Sequence, residues 1–216
     1  MSTDAVHHPW FARYYARLSQ RMEPEIGQYR RRLLAGLSGR VIEIGAGNGL
    51  NLAYYPPEVT HVLAVEPESH LRALAAEQAA VLAANTSTGI EVVDGVAAEL
   101  PSGPMSFDAA VFSLVLCSVP DQMAALTEAR RVVRPGGELR FFEHVRAESS
   151  GLRRVQRALD ATVWPHVAGG CHVGRDTATA IERAGFTITS MERPRVPDTR
   201  ITWPATLHIL GVATRA

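Results

Sequence analysis

The stretch Val41-Ile42-Glu43-Ile44-Gly45-Ala46-Gly47-Asn48-Gly49 decides the fold. A short apolar run closed by glycines reads as a strand emptying into a turn where backbone can approach a ligand closely. In parallel sheets, ligands bind outside the carboxyl ends of the strands, near the point where strand order reverses. A dinucleotide fingerprint, G-x-G-x-x-G, would need a third glycine at the position of Leu50. The pattern here is E-x-G-x-G-x-G, which disfavours a nicotinamide oxidoreductase. About 20 residues further on, Ala64-Val65-Glu66-Pro67 sets a carboxylate at the end of the next strand. There it can accept hydrogen bonds from both ribose hydroxyls of a nucleoside; the plainer alternative is a solvated charge at a strand end.

On either side of this stretch, strand and helix signals alternate. Residues 9–37 read as helix in two pieces, broken at Met22-Glu23-Pro24, with Pro24 in the first turn of the second piece. Strands are expected at Arg40–Ile44, Thr60–Val65, Ile90–Val93, Phe107–Leu116, Glu138–Val145, Phe186–Met191 and Thr206–Thr214. Helices are expected at Ser69–Ala84, Asp121–Val133, after Gly151 and at Thr177–Ala184, with a Pro/Gly-rich loop at 165–174. Alternation with short connections implies a mostly parallel sheet covered on both faces. The expected fold is α/β: a three-layer sandwich with an N-terminal helical cap. With no repeat, low-complexity linker or composition break, residues 1–216 read as one domain, a cap or lid at 1–38 on a core at 39–216.

Composition removes several chemistries. The chain carries 22 acidic residues and 22 basic residues, and every basic one is arginine. Without lysine there is no Schiff-base enzyme, no pyridoxal phosphate anchor and no Walker-type phosphate loop. A formal net charge of zero argues against a nucleic-acid partner. The N-terminus MSTDAVHHPWFARYYARLSQ lacks the layout of a secretory signal, and the longest apolar stretch, Ala109–Val119, is too short to span a bilayer. Two cysteines, Cys117 and Cys171, read as reduced thiols, so the expected location is cytoplasmic. Arginines cluster at Arg13, Arg17, Arg21 and Arg30–Arg32, and again at Arg146, Arg153, Arg154 and Arg157. Most read as solvated faces, although a basic rim could touch an anionic acceptor or a membrane surface weakly. No oligomeric state follows from the sequence.

Two further segments complete a set: Asp108-Ala109-Ala110-Val111-Phe112-Ser113-Leu114-Val115-Leu116 and Arg134-Pro135-Gly136-Gly137-Glu138-Leu139. In this order and spacing, the four segments resemble the class I S-adenosylmethionine-dependent methyltransferases, strongly over 39–145. The resemblance implies a seven-stranded sheet of order 3-2-1-4-5-7-6, with the seventh strand antiparallel. It implies S-adenosylmethionine as cofactor, with Gly45, Ala46 and Gly47 against its methionyl part, Glu66 on the ribose, and Glu43 and Asn51 among the cofactor-binding residues. Pro67 would lie beside the adenine, and Leu114 and Val115 beside the methionyl chain. The Gly95–Pro101 segment resembles the family's adenine loop, but Val96 and Ala98 replace its usual acidic residues. Only backbone groups of Val96 and Ala97 are then left to read the adenine edge.

A narrower resemblance points to the membrane-associated thiol methyltransferases of animals and their bacterial relatives. Asn51–Pro56, Leu114–Val119, Phe142–Glu148, Leu159–Trp164, Gly170-Cys171, Arg175 and Ile181–Phe186 carry it. The hydrophobic N-terminal anchor of the animal proteins has no counterpart here. The resemblance therefore implies a related catalytic domain rather than the same location.

Methyl transfer from a sulfonium needs alignment and, for weak nucleophiles, a base. His144, after the strand ending Phe141-Phe142-Glu143, is the candidate base; the alternative is that it pins a neighbouring loop. His166, Cys171 and His172 cluster in a glycine-rich loop, yet nothing nearby supplies further ligands of defined geometry, so no metal is expected. Tyr14 and Tyr15, with Trp10 and Phe11, give the N-terminal helix an aromatic face suited to core packing or to a lid. The expected acceptor pocket comprises Tyr14, Tyr15, Cys117, His144, Asp160, Trp164, His166 and Cys171. The expected partner is a small, rather apolar methyl acceptor, a thiol foremost. O- or N-methylation of a quinone, phenol, natural product or phospholipid headgroup is the alternative, and a cofactor-binding regulator without turnover a third.

Overall fold

The computed structural model describes residues 9–198 and 203–216, so the first eight residues of the expected cap lie outside the described residues. The elements are α1 (Pro9–Leu34), β1 (Gly39–Ile44), β2 (Val59–Val65), α2 (Ser69–Ala83), β3 (Gly89–Val93), β4 (Phe107–Ser113) and α3 (Gln122–Val132). They continue with β5 (Val133–His144), α4 (Ser150–Asp160), α5 (Trp164–Val167), α6 (Thr177–Arg183), β6 (Phe186–Glu192) and β7 (His208–Arg215). The seven strands form one sheet in the order β3-β2-β1-β4-β5-β7-β6. Pairing is parallel from β3 through β5, and β7 runs antiparallel to both β5 and β6.

Burial on both faces explains the continuous apolar runs of the central strands. Side chains alternate across the sheet, so Ile42 and Ile44 join Phe112, Leu126, Phe141 and Ile181 on one face. Val41 joins Val62, Val111 and Phe142 on the other, beneath Leu33 and Leu34 of α1. The chain thus forms three layers, with α3 and α6 covering the first face and α1 the second. Strand order reverses between β1 and β4, and a crevice opens there at the carboxyl edge.

Four local expectations are corrected. The N-terminal helix is one piece: Pro24 lies inside it without a break. Its inner face, Ala12, Ala16, Ser19, Ile26, Arg30 and Leu33, is buried along the whole length, while Pro24 faces solvent. The carbonyl that Pro24 leaves unpaired belongs to exposed Gln20, which water can satisfy, so packing outweighs the lost bond. Strand β4 ends at Ser113 rather than Leu116, because Leu114 turns into the left-handed region at φ 62. Strand β5 starts early at Val133, which pairs with Phe107, and the register shifts before Ala109 meets Glu138. The loop expected at 165–174 also contains the short helix α5.

Gln156 of α4 ties the loops at this edge together. Fully buried, it accepts from the Ala147 N–H at 2.7 Å and shares its amide hydrogens among the carbonyls of Val145, Val173 and Pro204 at 3.0–3.2 Å. Replacing Gln156 by Ala strands these groups without water. The expected loss of stability in urea denaturation is about 2–4 kcal/mol, against well under 1 kcal/mol for an exposed neighbour such as Arg157→Ala.

Candidate active site

A cavity of about 1220 Å³ lies at the carboxyl edge of β1, β2, β4 and β5. It exceeds the roughly 300–1000 Å³ usual for a single-ligand pocket. One flank is the glycine turn. Gly45 has φ +72, and a Cβ there would lie 2.6 Å from the Val115 side chain, so only glycine lets the turn pass beneath β4's exit. Gly49, at φ +79, lets α2 pack on the turn, since a Cβ would meet the Ala75 backbone at 2.9 Å.

Glu66 closes this flank. Its carboxylate accepts the Gly47 N–H at 2.8 Å and the Glu68 N–H at 2.9 Å, and it lines the cavity. Burial raises its pKa, and those two backbone bonds oppose the rise. Each carboxylate oxygen keeps a further acceptor site. Ser113 Oγ, buried at the end of β4 and on the same wall, has no hydrogen-bond partner among the described residues. A shaped glycine turn, a carboxylate with acceptor capacity to spare and an orphaned hydroxyl fit a polar, nucleoside-bearing molecule such as S-adenosylmethionine. Gly45, Gly47, Pro67, Val96, Ala97, Leu114 and Val115 also line the cavity.

Glu43, Ala46 and Asn51 do not reach the wall, which corrects their expected contact with the cofactor. Ala46 turns into the core beneath the sheet. Glu43 and Asn51 instead form a buried relay behind the turn. The Glu43 carboxylate accepts from Asn51 Nδ2 and from the Tyr55 hydroxyl, both at 2.8 Å. Asn51 Oδ1 accepts from Arg30 Nη1 at 2.7 Å, and Arg30 Nε donates to Glu23 at 3.0 Å. Arg30, grouped in the sequence with solvated arginines, is thus buried and does line the cavity. Burial lifts the Glu43 pKa to about 7 despite the bonds from Tyr55 and Asn51.

The opposite flank is built where β4 leaves the sheet. After Leu114, the N–H groups of Val115, Leu116 and Cys117 all point to the buried Glu143 carboxylate, at 2.9, 2.9 and 3.1 Å. Burial raises Glu143 to about 7, with these three bonds working against it. The turn delivers Cys117 to His144 and Cys171. His144 Nδ1 lies 3.5 Å from Cys117 Sγ and 3.6 Å from Cys171 Sγ, and all three residues face the cavity. The Cys117 hydrogen bond, then His144, depress the Cys171 thiol to about 4, while that same pairing and burial push Cys117 well up. Burial pulls His144 down, but Cys171 and Glu143 outweigh it and leave the imidazole raised. His208, its ring tilted against that of His144 with centroids 4.4 Å apart, is pulled to about 3 by burial and then by the charge of His144.

Trp164 also lines this flank, but two expected acceptor residues do not. Asp160 is turned away: it accepts the N–H groups of Val173 and Gly174 at 2.8 and 2.9 Å and so fixes the loop that carries Cys171. His166 is exposed on α5, outside the wall. The third side is α1. Tyr15 and Tyr14 line the cavity, with Phe11 stacked 5.7 Å from Tyr15, and burial raises the Tyr15 pKa. Leu18, Met22, Ile26 and Arg30 extend this wall. The sequence reading missed them, although their spacing of four is the signal of one helix face.

Residues 42–141 match the family described as "Methyltransferase domain". Thiol S-methyltransferase TMT1B of Homo sapiens is 34% identical over 189 residues, covering 84% of this chain and 74% of the relative. Its Mus musculus counterpart is 34% identical over 221 residues, covering 97% and 86%. Among solved structures, an S-adenosylmethionine-dependent methyltransferase from Mesorhizobium loti superposes with TM-score 0.64 at 22% identity, covering 88% of this chain and 98% of that one, a likeness of fold.

Glu43 provides a pH test of the relay. Its folded pKa of about 7 exceeds the unfolded 4.5, so the native state holds the proton more tightly. This contribution is full below the unfolded value and is lost as pH rises through the folded one, up to about 3 kcal/mol in all. The wild-type melting temperature is therefore expected to fall between about pH 5 and 8 relative to that of Glu43→Gln, measured by calorimetry; parallel curves would contradict the relay.

Proposed function

Because the chain belongs to the S-adenosylmethionine-dependent methyltransferases, in the family of the thiol S-methyltransferases, we propose that its acceptor is a small, apolar thiol. One observation carries the reading: a single cavity joins the Glu66 flank to a wall of Cys117, His144, Cys171 and Trp164. When bound, S-adenosylmethionine supplies a methyl group on a cationic sulfur and departs as a neutral thioether.

The chain's own residues supply position and environment. The Gly45–Gly47 turn borders the methionyl end, Glu66 and Pro67 hold the nucleoside end, and backbone of Val96 and Ala97 faces the adenine edge. Leu114 and Val115 border the methionyl end, and Ser113 offers its unpaired hydroxyl there. Glu43 and Asn51 act as positioning residues, bracing the turn through Arg30. Phe11, Tyr14 and Tyr15 of α1 exclude water, which strengthens every polar contact inside. The acceptor lies against Trp164 and the two cysteines, with His144 as the catalytic residue at its sulfur. A thiol suits this wall because its ordinary pKa, near 8.5, needs only modest activation.

Among the described residues no helix is long and apolar enough to cross a membrane. The two free, buried cysteines support a reducing, cytoplasmic setting.

Incubation with labelled S-adenosylmethionine and a panel of thiols, phenols and amines tests the reading. Label is expected on apolar thiols; transfer confined to oxygen or nitrogen acceptors would overturn it. Glu66→Ala should weaken cofactor binding by about 10–100-fold in calorimetry. His144→Ala should leave that affinity within about 3-fold while lowering thiol kcat by at least about 10-fold, the signature of a group acting on the acceptor.

A further inference from the structure

We propose that Cys117, His144 and Cys171 form a binding site for one borderline-soft divalent cation of the zinc class, its fourth position open to the acceptor half of the cavity. The three residues come from three separate segments: the turn after β4, the end of β5 and the loop after α5. Their ligand atoms nevertheless lie within 4.8 Å of one another. Zinc bonds of about 2.3 Å to sulfur and 2.0–2.1 Å to nitrogen, at a tetrahedral angle, set a sulfur-to-nitrogen separation of about 3.6 Å. The observed separations are 3.5 and 3.6 Å, both to the same nitrogen, His144 Nδ1. Two thiols and an imidazole are the ligand types that such an ion prefers.

The surroundings match those of a built ion site. Cys117 and Cys171 are 1% and 5% exposed, so their sulfurs are held in place. The imidazole also hydrogen-bonds the backbone of Ala205, the kind of outer contact that orients a ligating histidine. The His172 N–H donates to the Cys117 carbonyl at 2.8 Å and locks the two cysteine segments together. Asp160 and Gln156 fix the Cys171 loop from behind through Val173 and Gly174. Among the described residues no fourth side chain joins the group. Three protein ligands with an open fourth position facing a pocket are the pattern of a reactive rather than a structural ion.

What fills the fourth position rests on the thiol reading above. A thiol R–SH entering there would bind as R–S⁻ and release its proton to solvent. Its sulfur would then form the new bond to carbon as the sulfonium carbon–sulfur bond breaks, and it would leave as the neutral thioether R–S–CH₃, a poorer ligand. No oxidant or reductant is involved.

The test uses the purified full chain under a phosphine reductant, with zinc titrated by calorimetry and cobalt(II) substituted for spectroscopy. One equivalent per chain is expected, with a dissociation constant below about 1 μM, and cobalt should show tetrahedral bands with sulfur-to-metal charge transfer. Cys117→Ser, Cys171→Ser and His144→Gln should each weaken binding by at least about 100-fold. Adding a small apolar thiol without cofactor should shift the cobalt bands. Binding weaker than 1 μM, octahedral cobalt, or variants that bind like the parent would overturn the site. The cobalt spectrum of the parent protein decides this even if a variant fails to fold. Full-rate thiol methylation by chelator-treated, metal-free protein would overturn the site while leaving the thiol reading intact. Tight three-residue metal binding without methylation of any thiol would sustain the site and sink the thiol reading.

Discussion

The carboxylate of Glu143, wholly buried, holds three consecutive backbone N–H groups, those of Val115, Leu116 and Cys117. Without such an acceptor, a chain leaving the sheet through a left-handed residue would bury unpaired donors, each costing about 1–3 kcal/mol. With it, the turn is fixed, and both flanks of the cavity depend on that turn. Val115 presses on Gly45 and sets the width of the cofactor flank. Two residues later, Cys117 is carried to His144, the residue that follows Glu143 itself. One side chain at the end of β5 therefore couples the cofactor flank to the acceptor flank.

Behind the opposite flank, Glu43 has an equivalent place. It too ends a central strand, is buried and collects donors, here from Asn51 and Tyr55. The two glutamates stand near the carboxyl ends of β1 and β5, the strands on either side of β4. One braces the glycine turn and the other the turn after β4. Neither depends on touching the ligand, and a cavity of this size needs such rigid borders to hold two reactants in line.

Most of the fold was legible because its signals are local. The strand-to-glycine junction at Ile44–Gly47, the acidic residue at Glu66 and the apolar runs of β1, β2 and β4 each declare themselves within a few residues. The unbroken α1 was not legible, since what carries it past Pro24 is the tertiary burial of Ile26, Arg30 and Leu33. The end of β4 was equally hidden: Leu114 looks like a strand residue, and its positive φ is imposed by Glu143, far along the chain. Site residues divide the same way. Gly45, Glu66 and Val115 line the cavity; spacing singled out the first two, and only the family resemblance pointed to Val115. Asp160 and His166 were misplaced because nearness in the chain to Cys171 and Trp164 does not say whether a side chain faces the cavity, braces the loop behind it or points to solvent. The Cys117–His144–Cys171 grouping spans three segments, and no local pattern announces it.

The central claim is that one cavity seats the cofactor on Glu66 and turns its reactive sulfur toward the Cys117–His144–Cys171 wall. A crystal structure of the chain with S-adenosylhomocysteine and a thiol ligand tests this most directly. Both ribose hydroxyls are expected on the Glu66 carboxylate, with the two sulfur atoms facing one another beside His144. A ribose bound away from Glu66, or a thiol seated outside the wall of Cys117, Trp164 and Cys171, would contradict it.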